Sequence, residues 1–102
     1  MASDKAYLEF VREQLSDLEG VSYRAMMGEY ILYYEGKVIG GIYDNRLLLK
    51  PTKSVVSIFP EAPRELPYPG AKAMLAAEVD NRALLQRAVE AVAADLPAKK
   101  KA

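Results

Sequence analysis

Apolar residues along this chain follow two different rhythms. Tyr7, Leu8, Val11, Leu15 and Leu18 recur at the three- and four-residue spacing of one helix face. Ser3 can cap a helix that starts at Asp4, whose charge suits a helix N-terminus, and Gly20 is a plausible stop. From Tyr23 to Lys50 the rhythm changes to tyrosines, β-branched residues and leucines, interrupted by Glu35-Gly36 and Asp44-Asn45. Both pairs suit two-residue hairpin turns. The pattern predicts three antiparallel strands, roughly 23–34, 37–43 and 46–50, with Gly28 marking a bend or bulge in the long first one.

Pro51-Thr52 breaks the sheet, and Val55, Val56 and Phe59 fit a short helix with Thr52 near its cap. Residues 60–70 carry four prolines and a glycine and read as a loop, with room for a short extended piece at Glu65–Tyr68. Residues 71–79 alternate like another strand, although their alanines leave a helix open. Asp80 or Asn81 then caps a final helix carrying Leu84, Leu85, Ala88, Val89, Val92 and Leu96, which Pro97 ends. The predicted class is α+β in two layers: an antiparallel sheet, a meander of three strands plus one or two more, with helices on one face. One domain over residues 1–97 and a flexible basic tail over 98–102 account for the chain.

Residues opposite each other across an antiparallel pair share a face. Pairing Tyr34 with Lys37 and Tyr43 with Arg46 gathers Met26, Tyr30, Leu32, Tyr34, Ile39, Tyr43 and Leu48 on one face. Arg24, Lys37, Arg46 and Lys50 lie among them. The other face takes Met27, Ile31, Tyr33, Val38, Ile42, Leu47 and Leu49, with Glu29 as its only charge. The second face is the more apolar and is expected to carry the helices. The first, aromatic and basic, becomes the candidate interaction face, because so much apolar surface is rarely left in water.

Composition narrows the chemistry. Hydrophobic residues make up 51% of the 102, which argues for a folded domain. No apolar run approaches a bilayer span and the N-terminus has no signal-like stretch, so a cytoplasmic location is expected. Cysteine and histidine are both absent. Thiolate nucleophiles, the usual neutral-pH base and the commonest transition-metal ligands are therefore missing. Glu29, Glu35 and Asp44 are scattered over a strand and two turns, which suits solvated or ion-paired carboxylates better than a catalytic pair. Lys50-Pro51-Thr52-Lys53-Ser54 lacks the glycines of a phosphate loop, and no helix opens after Gly40-Gly41 to make a dinucleotide fingerprint. The expectation is a non-enzyme without metal or cofactor. Fourteen basic residues balance fourteen acidic ones, so the broad positive field of a duplex-DNA binder is missing as well.

The run Tyr23-Arg24-Ala25-Met26-Met27-Gly28-Glu29-Tyr30, followed by Leu32-Tyr33-Tyr34-Glu35-Gly36-Lys37-Val38, resembles the signature of the TfoX N-terminal domain family of competence regulators. That signature has an arginine, a methionine-aromatic-glycine step, a strand, a glycine turn and a second strand. Leu47-Leu48-Leu49-Lys50, Tyr68 and Gly70–Met74 match its later parts, while Met27 stands where competence regulators commonly carry phenylalanine. The resemblance implies a non-catalytic regulatory domain. Its best-known members act as coactivators with a cyclic-AMP receptor transcription factor and carry a second domain. The leading expectation is thus a protein-interaction module in transcription regulation, a homodimer or bound to a protein partner through the mixed face. The alternative is a single-strand nucleic-acid platform, with Tyr30, Tyr34 and Tyr43 stacking bases beside the four cations.

Overall fold

The computed structural model of the chain describes residues 3–96. Helix α1 (Lys5–Gln14) leads into a four-strand meander: β1 (Val21–Met26), β2 (Glu29–Tyr34), β3 (Lys37–Ile42) and β4 (Leu47–Leu49). A short helix α2 (Lys53–Ile58), strands β5 (Arg64–Glu65) and β6 (Met74–Ala76), and helix α3 (Arg82–Asp95) complete the order. The strands form one antiparallel six-stranded sheet in the order β1-β2-β3-β4-β6-β5. The class is α+β, as the pattern predicts. Pro97 and the basic segment 98–102 lie outside the described residues.

The long first strand is in fact two. Met27 and Gly28 take φ of 53° and 86°, the positive pair that a type I′ hairpin turn demands. Glu35-Gly36 and Asp44-Asn45 do the same, so three successive two-residue turns build the meander. Gly28 is therefore a turn residue and not a bulge.

The bulge lies elsewhere, and it reverses the predicted faces over half of the sheet. Tyr34 pairs with Lys37 and Tyr33 with Val38, but Leu32 then pairs with Gly40 and Tyr30 with Ile42. One extra residue, Ile39, is accommodated in β3. A one-residue shift moves every later side chain to the opposite face. Tyr30, Leu32, Tyr34 and Ile39, assigned by pattern to the interaction face, instead join Ile42, Leu47 and Leu49 in the helix-covered core. Ile31, Tyr33 and Val38, assigned to the core, turn outward.

The helices pack on that core face. Leu8, Val11 and Leu15 of the first helical segment, Val55 and Phe59 around α2, and Leu85, Ala88, Val89 and Val92 of α3 bury themselves against Leu32, Ile39, Ile42, Leu49 and Leu75. Burial of each such large side chain contributes about 1.5–3 kcal/mol, opposed by chain entropy. Polar ties fix the helix ends. Asn81 Oδ1 accepts from the Leu84 amide at 3.0 Å, capping α3. Thr52 is the N-cap of α2 but makes no capping bond. Asp95, at the end of α3, accepts instead from the Ser54 amide at 2.7 Å and the Ser54 hydroxyl at 2.9 Å. Asp4, not Ser3, precedes the first turn of α1. The buried Ser3 joins two hairpin turns: its amide donates to Gly28 O at 3.0 Å, and its hydroxyl accepts from the Asn45 amide at 3.0 Å.

Candidate interaction surface

The helix-free face of the sheet is shaped by one loop. Arg46 on the outer side of the third turn pairs with Glu65 of β5, donates through Nε to Tyr43 O at 3.0 Å, and reaches Leu66 O at 3.4 Å. These contacts anchor the start of the segment Leu66–Ala73. Its Pro67, Tyr68 and Ala71 stand across from Val38, Tyr43 and Lys50 and enclose a concavity of about 550 Å³. Leu48, beneath this side of the sheet, is fully buried although it is no part of the helix-side core.

Close backbone approach explains the adjacent glycines of β3. A Cβ on Gly40 would run into the Leu48 carbonyl oxygen, and one on Gly41 would stand 2.7 Å from the Tyr43 ring. Tyr43 is thus the aromatic that covers Gly41. Burial, with Tyr68 and Glu29 nearby, pushes the Tyr43 phenol above its ordinary value.

A second concavity, about 540 Å³, opens beside the first on the β1–β2 hairpin. Met26, Met27, Glu29 and Ile31 form one wall, and Tyr43, Pro67, Tyr68 and Pro69 the other. Its rim is apolar and exposed: Met26 retains 47% of its surface, Met27 97% and Tyr68 60%. The hairpin tip is held from below. Glu29 Oε1 accepts from the Ser3 hydroxyl at 2.5 Å and from the Asp44 amide at 3.3 Å.

The chain matches the TfoX N-terminal domain over residues 13–94. It belongs to the TfoX N-terminal domain family. That family is not known to be catalytic. The "uncharacterized 12.7 kDa protein in trpE 5′ region" of Spirochaeta aurantia is similar to it: 40% identical over 102 residues, covering 98% of this chain and 89% of that protein. No solved structure matches. Among the described residues, no helix of this TfoX N-terminal domain is long and apolar enough to cross a membrane. No group of three or more metal-ligating side chains is present among them either.

The predicted interaction face is dispersed within this domain. Leu32, Ile39 and Leu48 are buried, and Tyr30 and Tyr34 pack against the core. Tyr30 meets Tyr23 edge to face, ring centroids 5.8 Å apart. Lys37 lies on the helix side, where its Nζ donates to Ala93 O at 2.9 Å and Leu96 O at 3.4 Å, closing the negative end of α3. Arg46 is committed to Glu65. Of the predicted set, Arg24, Met26, Tyr43, Arg46, Leu48 and Lys50 belong to the outer side, with Leu48 buried there and Arg46 paired to Glu65. Met27, Ile31 and Tyr68 join them. Tyr68 had a readable signal, since an aromatic between Pro67 and Pro69 is held off the core.

Proposed function

We propose that this domain is a non-catalytic regulatory module that docks a protein partner in the concavity between the Met26–Met27 hairpin tip and the Pro67-Tyr68-Pro69 loop. Membership of the TfoX N-terminal domain family supports the regulatory half of this reading. By family resemblance the partner is a transcription factor of the cyclic-AMP receptor class.

One observation carries the docking half. Met27 occupies the first central position of a type I′ turn, with φ of 53° and 97% of its surface in water. That position favours Asn, Asp or Gly. A large apolar side chain there costs about 1 kcal/mol of backbone strain and contributes almost no burial. Folding gives no reason for it; an apolar contact with a partner does. Methionine suits that task, being flexible and polarisable. The apolar rim supports a protein partner over a nucleic acid, and so do the commitments of Lys37 and Arg46 within the fold.

Asn at position 27 fits the turn better. Met27→Asn is therefore expected to raise the melting temperature by about 2–6 °C and to weaken binding of the cyclic-AMP-receptor-class factor at least several-fold in calorimetry. Greater stability with unchanged affinity would reduce Met27 to a turn residue and remove the basis of this reading. Binding of single-stranded DNA that weakens steeply with salt and is lost in Arg24→Ala would favour the nucleic-acid alternative.

A further inference from the structure

The two edges of the sheet are unlike. β5 is two residues long, both charged, and lies between Pro63 and Pro67. Short, charged, proline-flanked edges resist pairing with other chains. β1 is six residues, Val21–Met26, without proline, and five of the six are exposed. Among the described residues no strand pairs with its outer side.

The hydrogen-bond phase of β1 identifies which groups face outward. The Glu35 amide donates to Gly20 O at 2.9 Å, and β1 pairs with β2 in the same register, Ser22 with Tyr33, Arg24 with Ile31 and Met26 with Glu29. Bonded and non-bonded pairs alternate along an antiparallel ladder. Ser22, Arg24 and Met26 therefore direct their amides and carbonyls to β2. Val21, Tyr23 and Ala25 direct theirs away from the sheet.

We propose that a second copy of this chain occupies this edge, with β1 pairing antiparallel to β1 about a twofold axis at Tyr23. Tyr23 then bonds to Tyr23 of the second copy, and Val21 to Ala25, so every outward backbone group of these residues gains a partner. Ser22 comes opposite Arg24. The register centred one residue further on sets Arg24 against Arg24, and like charges directly opposite are destabilising. The strand is thus self-complementary in one register, as an isologous twofold contact requires. Tyr23 is already oriented for it: its ring stands edge-on to Tyr30 and lies 5.1 Å from the Arg12 guanidinium. The residues that pair, Val21, Tyr23 and Ala25, do not line the concavity at Met27, so edge pairing and partner docking can be tested separately.

Sedimentation velocity of the whole chain, with amide exchange at low and high concentration, tests this. The expected species is a dimer at high concentration, with the Tyr23 and Ala25 amides exchanging about tenfold more slowly than in the dilute monomer. Ala25→Pro removes an outward amide and no bond to β2; it is expected to give a monomer with an unchanged circular dichroism spectrum that still binds the transcription factor. A monomer at all concentrations overturns the proposal. So does a dimer whose Tyr23 and Ala25 amides exchange freely, a result that needs no variant and holds even if Ala25→Pro fails to fold.

Discussion

Leu32 and Ile31 are neighbours of similar size, and the bulge sends them to opposite fates. Leu32 is 1% exposed in the helix-side core, while Ile31 lines the outer concavity. Leu32→Asp places an unpaired charge in that core and is expected to cost about 4 kcal/mol or more, enough to unfold much of a small domain. Ile31→Asp is expected to cost about 1 kcal/mol or less. Urea unfolding of the two variants checks the order; the reverse order would mean the register without the bulge. The glycines supply a second contrast. Gly40→Ala drives a Cβ into the Leu48 carbonyl, a backbone group that cannot step aside. It is expected to cost about 2–3 kcal/mol, a fall in melting temperature beyond 10 °C or so. Gly70 has φ of 88°, but a Cβ added there would meet nothing within 4 Å, so Gly70→Ala is expected to cost only about 1 kcal/mol of strain. Equal losses in thermal melts would contradict the close approach of β3 and β4.

Among the elements, those with strong signals were legible. The first and last helices follow from their spacing, and α2 from Thr52 and its apolar face. Two turns were readable because Gly36, Asp44 and Asn45 tolerate positive φ. The Met27-Gly28 turn was not, because methionine argues against a left-handed position. The bulge at Ile39 had no residue of its own to announce it; the nearest hint was Gly40, where β4 comes too close for a side chain. Missing one residue of register inverted the predicted face along β2, so Tyr30, Leu32, Tyr34, Lys37 and Ile39 were assigned to the wrong face while the strands themselves were nearly right. The tie between α2 and α3 was also invisible, since Ser54 and Asp95 lie far apart in sequence. The Ser54 amide and hydroxyl hold the Asp95 carboxyl below its ordinary range. A depressed folded value means that the tie stabilises the fold above the unfolded pKa, near pH 4, and is lost as pH falls through the folded one. Asp95→Ala is expected to melt a few degrees lower than the parent at neutral pH. The difference should shrink as pH falls below the ordinary carboxylate range and vanish once the carboxylate is protonated in both states. A difference that persists in acid would show that packing, and not this hydrogen bond, is responsible.

For the whole molecule, the sheet divides labour between its faces. One side buries the helices and sets stability. The other, covered in part by the loop that Arg46 anchors, leaves exposed methionines and a tyrosine around an open concavity. Surface that contributes little to folding is free to bind, and partner docking beside Met27 is the central claim. The methionines themselves report on it. Met26 and Met27 rim the docking concavity, whereas Met74 lines the neighbouring one beneath the loop. The most direct test is a titration of methyl-13C-methionine-labelled protein with the cyclic-AMP-receptor-class transcription factor, followed by NMR. The Met26 and Met27 methyl signals are expected to shift or broaden saturably while Met74 stays in place. Saturable binding that moves Met74 and leaves Met26 and Met27 unchanged would contradict docking beside Met27.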